Sequence, residues 1–235
     1  MRVLVVHNAY QLAGGEDAVV LNEVALLREH GSTVQLHLVS NVGVTGLLGK
    51  LRAAIGVIFS FSSYFKIRQI LRNFQPSIVH VHNFFQLVSP AVFYACKAEG
   101  VPVVMTLHNF RLICPTAVLM YDGKITERSL RDGPWWGVRA RVYRGSLLGS
   151  FVLASMIAVH QGIGTWRKQV DRFIVLSNFS VEKFSQGGLP IDKLVVKPNF
   201  VSVTASVEID RCGFLFVGRL SPEKGVDILL TAIGF

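Results

Sequence analysis

The chain opens with MRVLVVHNAYQLAGGEDAVVLNEVALLREHG, residues 1–31, and this stretch decides the fold. Residues 2–6 form an apolar run rich in β-branched side chains, which predicts a strand buried on both faces, as in a parallel sheet covered by helices. A loop with Gly14 and Gly15 follows, and the apolar residues after it recur at helical spacing. Another apolar run at 33–39 predicts a second strand. This order predicts a doubly wound, Rossmann-like α/β domain.

The same alternation of strands and helices continues along most of the chain, as a parallel sheet requires. Residues 110–136 interrupt it with turn-forming residues, and residues 138–169 predict a long helical region. Further strands are predicted at 78–82, 101–107, 173–176 and 194–197, and further helices at 63–74, 90–99 and 177–187.

The last part of the chain has a different organisation. Residues 201–211 are polar and unpatterned, which is typical of a linker, and a new strand is predicted at 214–217 with a helix at 226–233. So short a segment cannot close a core by itself. We therefore expect an N-terminal domain at 1–200, a linker at 201–211 and the truncated start of a second Rossmann-like domain at 212–235.

The composition is that of a well-buried globular protein, because 51% of the 235 residues are hydrophobic and 17% are charged. Three widely spaced cysteines, an odd number, argue against a disulfide framework or a paired-cysteine metal site. The net charge of +9 implies an anionic partner, and both a nucleotide-linked substrate and anionic membrane lipid fit it. No nucleic-acid-binding motif occurs, so we expect no nucleic-acid partner.

The sequence predicts no membrane-spanning segment. Its start lacks the features of a signal peptide, and the apolar run 146–159 is too short to cross a bilayer. Residues 124–168 carry a local net charge of +6. This charge fits either a surface helix for anionic lipid or a buried helix with a solvated basic end, and the glycines nearby favour the second. We expect a cytoplasmic protein, either free or peripheral to the inner face of the membrane.

Two groups of residues are candidates for a binding site. Gly14 and Gly15 precede a predicted helix, whose N-terminal N–H groups attract phosphate; a flexible turn is the alternative. His108 ends a predicted strand, where ligands of open parallel sheets collect. His82 is expected to line the same cleft, whereas His80 is expected to be structural. Two strand imidazoles without a third ligand predict no metal site.

Five short segments, in this order along the chain, resemble the retaining GT-B glycosyltransferases of family 4, which use nucleotide-sugar donors. The most informative is GRLSPEKG at 218–225, between a predicted strand and a predicted helix. The others are the opening strand with its double glycine, VHVHN at 79–83, TLHN at 106–109 and VKPN at 196–199. The resemblance covers essentially the whole chain.

The resemblance implies roles for individual residues. Arg219 and Lys224 match the family's arginine and lysine that bind the donor diphosphate, and their positive charge suits a diphosphate leaving group. His108 matches the histidine that contacts the transferred sugar, so it is the expected catalytic residue. The remaining expected site residues are Gly14 and Gly15 for the donor phosphates and His82, Asn109 and Asn199 along the cleft.

The function implied by the resemblance is transfer of a hexose, with retention, from a nucleotide sugar to a saccharide or lipid-linked acceptor, without a cofactor or metal. The family's paired glutamates, which hold the nucleotide sugar, lie beyond the point where the resemblance ends. We therefore expect an acceptor-side fragment without turnover of its own. The alternative is a non-catalytic Rossmann-like module that binds a partner or an anionic membrane surface; the loop at 218–225 favours the transferase.

Overall fold

A six-stranded parallel sheet forms the centre of the molecule. The computed structural model describes residues 1–9, 14–40, 54–201, 212–218, 220 and 224–234. The strands are β1 (Arg2–Ala9), β2 (Thr33–Ser40), β3 (Ile78–Asn83), β4 (Val103–Leu107), β5 (Met120–Tyr121), β6 (Lys124–Ile125), β7 (Arg172–Val175) and β8 (Leu194–Val196). The parallel sheet has the order β2-β1-β3-β4-β7-β8, and β5 and β6 form a separate antiparallel hairpin. This order confirms the predicted doubly wound, Rossmann-like α/β class.

Helices cover both faces of the sheet. They are α1 (Gly15–Glu29), α2 (Phe61–Phe74), α3 (Ala91–Ala98), α4 (Arg128–Asp132), α5 (Trp136–Arg139), α6 (Leu147–Gly162), α7 (Thr165–Gln169), α8 (Asn178–Gln186) and α9 (Val226–Ala232), with a 3₁₀ turn at Ile191–Lys193. The first turn of α1 contains Glu16 and Asp17, which interact favourably with the positive end of the helix dipole.

The two faces of the sheet have different characters. The larger apolar core packs against α2, α3, α6 and α8 and includes alternate residues of β1 and β3. On the other face, Val3 and Val5 form a small cluster with the apolar side of α1. Because side chains alternate along a strand, His7 follows Val3 and Val5 onto the α1 face. This face is therefore apolar at the amino end of β1 and polar at its carboxyl end.

The prediction of one long helical region at 138–169 is wrong, because the region is not one continuous helix. The structure divides it into α5, α6 and α7. Arg144 and Gly145 have φ angles of 52° and 68°, and Gly164 has a φ of 73° between α6 and α7. These left-handed conformations end a right-handed helix, and the spacing of apolar residues does not reveal them. Within the described ranges, no helix combines the length and the apolar character needed to cross a bilayer.

The described residues from 212 onward include α9 but no strand. The strand predicted at 214–217 is not formed, because a strand needs a neighbour for its hydrogen-bond ladder and the described residues offer none there. None of the described residues from 212 onward is buried. The predicted linker lies almost entirely outside the described residues, so the domain boundaries at 200 and 212 stay predictions.

Candidate functional site

The strand order reverses direction between β1 and β3, and the carboxyl edge of the sheet at this point carries three His-Asn pairs. His7-Asn8 lies in β1, His82-Asn83 ends β3, and His108-Asn109 follows β4. In open α/β sheets, ligands bind in the crevice beside such a switch point. The sequence predicted His82, His108 and Asn109 as site residues but not His7, Asn8 or Asn83, although the repeated His-Asn dipeptide at strand ends was a usable signal.

The asparagines hold the loops that follow the strands. Asn83 Nδ2 donates to the Asn8 carbonyl at 2.8 Å, and Asn83 Oδ1 accepts from the Phe85 amide at 2.9 Å. The Leu87 amide in turn donates to Asn8 Oδ1 at 3.0 Å. Both asparagines are buried, so these bonds are shielded from water and fix the loop after β3.

Asn109 connects β4 to the start of α1. Its Nδ2 donates to Glu16 Oε1 at 3.0 Å, and its Oδ1 accepts from the Arg111 amide at 3.1 Å. Glu16 follows Gly15 directly, so this bond brings the double glycine to the same edge as His108. The Gly14 amide donates to Asp17 Oδ2 at 2.7 Å. A phosphate bound by that amide would therefore have to displace the Asp17 carboxylate.

The histidines are paired with one another and with α1. His82 Nδ1 lies 3.1 Å from His108 Nε2, and the two rings are stacked with centroids 5.4 Å apart. His80 Nε2 lies 2.8 Å from Thr106 Oγ1. His7 Nε2 lies 2.9 Å from Asp17 Oδ1. His82 thus lies behind His108 and is almost fully buried.

Glu23 of α1 reaches into this cluster from above the sheet. Its Oε1 lies 2.7 Å from Lys197 Nζ, and its Oε2 lies 3.4 Å from His82 Nε2. Neither Glu23 nor Lys197 was predicted from the sequence as a site residue. Glu23 is a buried acid beside Val20 and Val24 on the buried side of α1, and a carboxylate at such a position was the available signal.

Burial keeps the imidazoles of His80, His82 and His108 uncharged near neutral pH. It lowers the pKa of His80 to about 4 and holds the pKa of His82 well below its usual range. The pKa of His108 is also lowered by burial, against a smaller opposing effect of the Glu16 carboxylate. The site therefore offers neutral rings that donate or accept hydrogen bonds rather than fixed positive charge.

One set of residues in the described part of the chain has the donor atoms for a metal ion. One ligand atom each from Glu23, His80 and His82 lies within 4.8 Å of the others. Glu23, which the sequence pattern did not indicate, thus provides a third possible ligand beside the two histidines. However, the Lys197 ammonium already occupies one oxygen of Glu23, and the Thr106 hydroxyl contacts His80. The expectation of no metal stays a prediction.

Two of the hollows on the surface of the described residues can be compared with the crevice. The first hollow, beside His108, has a volume of about 20 Å³, which is enough for one water molecule. Its lining includes His82, Asn109 and Arg111. The second is an open hollow of about 560 Å³ lined mainly by aromatic residues of α2 and α3 and of the segment before α2. The polar residues of the crevice border only the first.

The structure brings some of the expected site residues together. His108, His82 and Asn109 share one hollow, with Gly14 and Gly15 beside it through Glu16. Asn199 is exposed two residues after Lys197. Lys224 is exposed at the start of the segment that leads to α9, and Arg219 lies outside the described residues.

A doubly wound sheet with polar side chains gathered at its switch point defines a Rossmann-like protein with a ligand crevice at the carboxyl edge. The sequence matches Glycosyltransferase Family 4 over residues 22–205, which is well over half of the chain. The chain therefore belongs to glycosyltransferase family 4, as the resemblance of its motifs predicted. No curated protein matches it significantly.

Several solved structures are similar to this chain at low sequence identity. The S. aureus MnaA–UDP structure has 10% identity and a TM-score of 0.47, and the match covers 84% of this chain and 44% of that one. The lipopolysaccharide outer core galactosyltransferase WaaB has 13% identity and a TM-score of 0.48, with 88% and 48% covered. Anabaena Alr3699/HepE in complex with UDP has 14% identity and a TM-score of 0.44, with 85% and 44% covered. The chain spans less than half the length of each.

Proposed function

We propose that this chain forms the acceptor-side domain of a retaining glycosyltransferase, which moves a hexose from a nucleotide sugar to a saccharide or lipid-linked acceptor. The observation that carries the proposal is the meeting of His82, His108 and Asn109 at the switch-point crevice of a family 4 chain. In this proposal residues 1–200 form the acceptor-side domain, and residues 212–235 belong to the donor-binding domain.

His108 is the group proposed to touch the transferred sugar. It is half-buried at the mouth of the crevice and is held by His82 from behind, so that its position is fixed before a ligand arrives. Its neutral ring suits a sugar hydroxyl. Asn109 is proposed to hold the start of α1 against the same hollow through Glu16.

The donor diphosphate is proposed to rest on the backbone of Gly14 and Gly15 and on Arg219 and Lys224. A leaving diphosphate gains negative charge, and N–H donors with fixed cations stabilise it. The acids of the first turn of α1 make the double glycine a poor phosphate site by itself, so the two cations carry most of this role. Asn199 is proposed to line the cleft. The proposal requires no metal and no cofactor beyond the sugar nucleotide.

Saturation-transfer NMR with this chain tests the proposal. UDP-, GDP- and ADP-hexoses are offered in turn at millimolar concentration. For one of them we expect weak binding in which the hexose protons receive more saturation than the base protons, because this part of the protein contacts the sugar. His108→Ala is expected to reduce the hexose signal several-fold by removing that contact.

His30→Ala is the matched control, because His30 is an exposed histidine at the end of α1. It is expected to leave the hexose signal unchanged. Micromolar binding dominated by the base, or a hexose signal that survives in His108→Ala, contradicts the proposed roles.

The alternative, a module that binds an anionic membrane surface, is favoured by one specific observation. The first turns of α6 expose Leu147 and Phe151, which are 53% and 51% accessible, whereas residues 153–157 of the same helix are buried. Arg139, Arg141 and Arg144 are exposed in the segment just before this helix. Exposed apolar groups beside cations are typical of surfaces that rest on anionic lipid.

Vesicle flotation tests this membrane contact. The protein is expected to float with vesicles of equal parts phosphatidylglycerol and phosphatidylcholine, but not with phosphatidylcholine alone. Replacing Arg139, Arg141 and Arg144 by Gln is expected to weaken binding roughly tenfold or more, since each basic residue near such a surface contributes about 1 kcal/mol. Lys66→Gln, an exposed change on α2, is the control. Equal binding to the two kinds of vesicle contradicts the membrane interpretation.

A further inference from the structure

Four side chains form a connected line from the edge of the sheet to the crevice. Lys197 Nζ lies 2.7 Å from Glu23 Oε1, and Glu23 Oε2 lies 3.4 Å from His82 Nε2. On the far side of the His82 ring, Nδ1 lies 3.1 Å from His108 Nε2. The His82 side chain is fully buried, so water does not compete for either of its ring nitrogens. The middle of the line is closed to water, whereas the Lys197 side chain is 44% exposed and His108 borders the hollow.

The Glu23 carboxylate favours one position for the proton on His82. Burial keeps this imidazole neutral, so it carries a single ring proton. If the proton were on Nδ1, the lone pair of Nε2 would face the Glu23 carboxylate inside the protein. Both groups are hydrogen-bond acceptors, so this arrangement is unfavourable. His82 Nε2 makes no hydrogen bond to a described residue, but Glu23 Oε2 lies 3.4 Å from it, so the negative charge of the carboxylate favours a proton on Nε2. His82 Nδ1 is then an acceptor.

The state of His108 follows from that of His82. The bond between His82 Nδ1 and His108 Nε2 needs one proton, and His108 Nε2 must supply it. Because burial also keeps His108 neutral, its Nδ1 carries no proton. Among the described residues the side-chain hydrogen bond of His108 is the one from Nε2 to His82, and the ring lines the small hollow at the crevice. The neighbouring His80 and His7 are bound to Thr106 and Asp17 and do not enter this line.

We propose that Glu23 is a positioning residue, which acts through His82 to hold His108 with its proton on Nε2 and a bare Nδ1 toward the crevice. In this state His108 accepts a hydrogen bond and offers none from Nδ1. The matching ligand group is a donor, such as a sugar hydroxyl or an amide N–H. A phosphate oxygen, which is an acceptor, is rejected there. The identity of the ligand as a sugar rests on the proposed function; the proton positions do not.

Glu23→Gln is the sharpest test because Lys197 fixes the orientation of the new amide. The ammonium needs an acceptor, so the glutamine oxygen turns to Lys197 and its NH₂ group faces His82 Nε2. His82 must then carry its proton on Nδ1 and donate to His108 Nε2, which moves the His108 proton to Nδ1. The substitution is thus expected to exchange the protonated nitrogens on both rings.

Long-range ¹H–¹⁵N correlation spectra of the ¹⁵N-labelled chain read these positions directly, because protonated and bare ring nitrogens have well-separated shifts. We expect Nε2–H on His82 and on His108 in the native chain, and Nδ1–H on both in Glu23→Gln. Lys197→Gln keeps the Glu23 carboxylate and is expected to keep the native pattern, as is Glu29→Gln at an exposed position of α1.

The native spectrum alone decides the proton positions, even where a variant fails to fold. A protonated Nδ1 on His108 in the native chain, or an unchanged pattern in a folded Glu23→Gln, overturns the proposal. Millimolar inorganic pyrophosphate is expected to leave the His108 Nδ1 signal in place, and a shift toward the protonated state also overturns it. None of these measurements uses a sugar nucleotide, so they stand apart from failure of the proposed transferase function.

Discussion

Lowering the pH from about 7 to about 5 is expected to reduce the free energy of unfolding by roughly 2 kcal/mol through His80 alone. The native state holds the His80 pKa at about 4 by burial, whereas in the unfolded chain it has the ordinary value near 6.5. Between about pH 6.5 and pH 4, His80 binds a proton in the unfolded chain but stays neutral in the native chain. Stability is therefore complete above about pH 6.5 and falls steadily as the pH is lowered toward 4.

Other histidines add to the same effect. The pKa of His82 is held well below its usual range by burial and by the neighbouring histidines. Burial also lowers the pKa values of His37, His108 and His160. Glu23 opposes the shift at His80, whereas Lys197 reinforces it. The total loss by pH 5 is expected to exceed the share of His80.

Urea unfolding at pH 7, 6 and 5 measures this loss as a falling midpoint. His80→Gln is expected to reduce the pH dependence by the share of His80, because glutamine does not titrate and its amide can still contact Thr106. His30→Gln replaces an exposed histidine and is expected to leave the pH dependence unchanged. A midpoint that stays constant from pH 7 to 5 would mean that these rings are solvated in the native state.

The sheet could be predicted from the sequence because its inner strands are continuous apolar runs. In β1, residues 3–8 are all buried, which is the environment that such a run requires. His108 and His82 could be named because they end two of these strands. The breaks around α6 could not be predicted, because they depend on left-handed φ angles at Arg144 and Gly145 that no apolar spacing records.

The contact between Glu23 and Lys197 could not be predicted from the sequence for a different reason. The two residues are far apart in the chain, and they meet because the Lys197 side chain, which follows β8, contacts the Glu23 side chain of α1. Neither belongs to a local motif with known chemistry. A buried acid on the apolar side of a helix indicates that a partner exists, but only the strand order identifies the partner as His82 and Lys197.

Phe93→Ala is expected to lower the free energy of unfolding by about 3–5 kcal/mol, the usual cost of removing a buried aromatic ring. Phe93 is completely buried in α3. Its ring packs edge-to-face on Phe84 at 5.6 Å and on Trp166 at 5.9 Å between centroids. Phe84 directly follows Asn83, so the cavity left by the ring would also loosen the loop that borders the crevice.

Urea unfolding at pH 7 measures this effect. Phe61→Ala, at a residue that is 70% exposed, is expected to change the stability by less than about 0.5 kcal/mol. Phe93 lies in the core on one face of the sheet and His80 on the α1 face, so the two costs should add. A domain of ordinary stability has about 5–15 kcal/mol in total. Phe93→Ala at pH 5 should be less stable than the native chain at pH 7 by about 5–7 kcal/mol. A combined loss below about 3 kcal/mol would show that one of the two costs is far smaller than the burial of these rings implies.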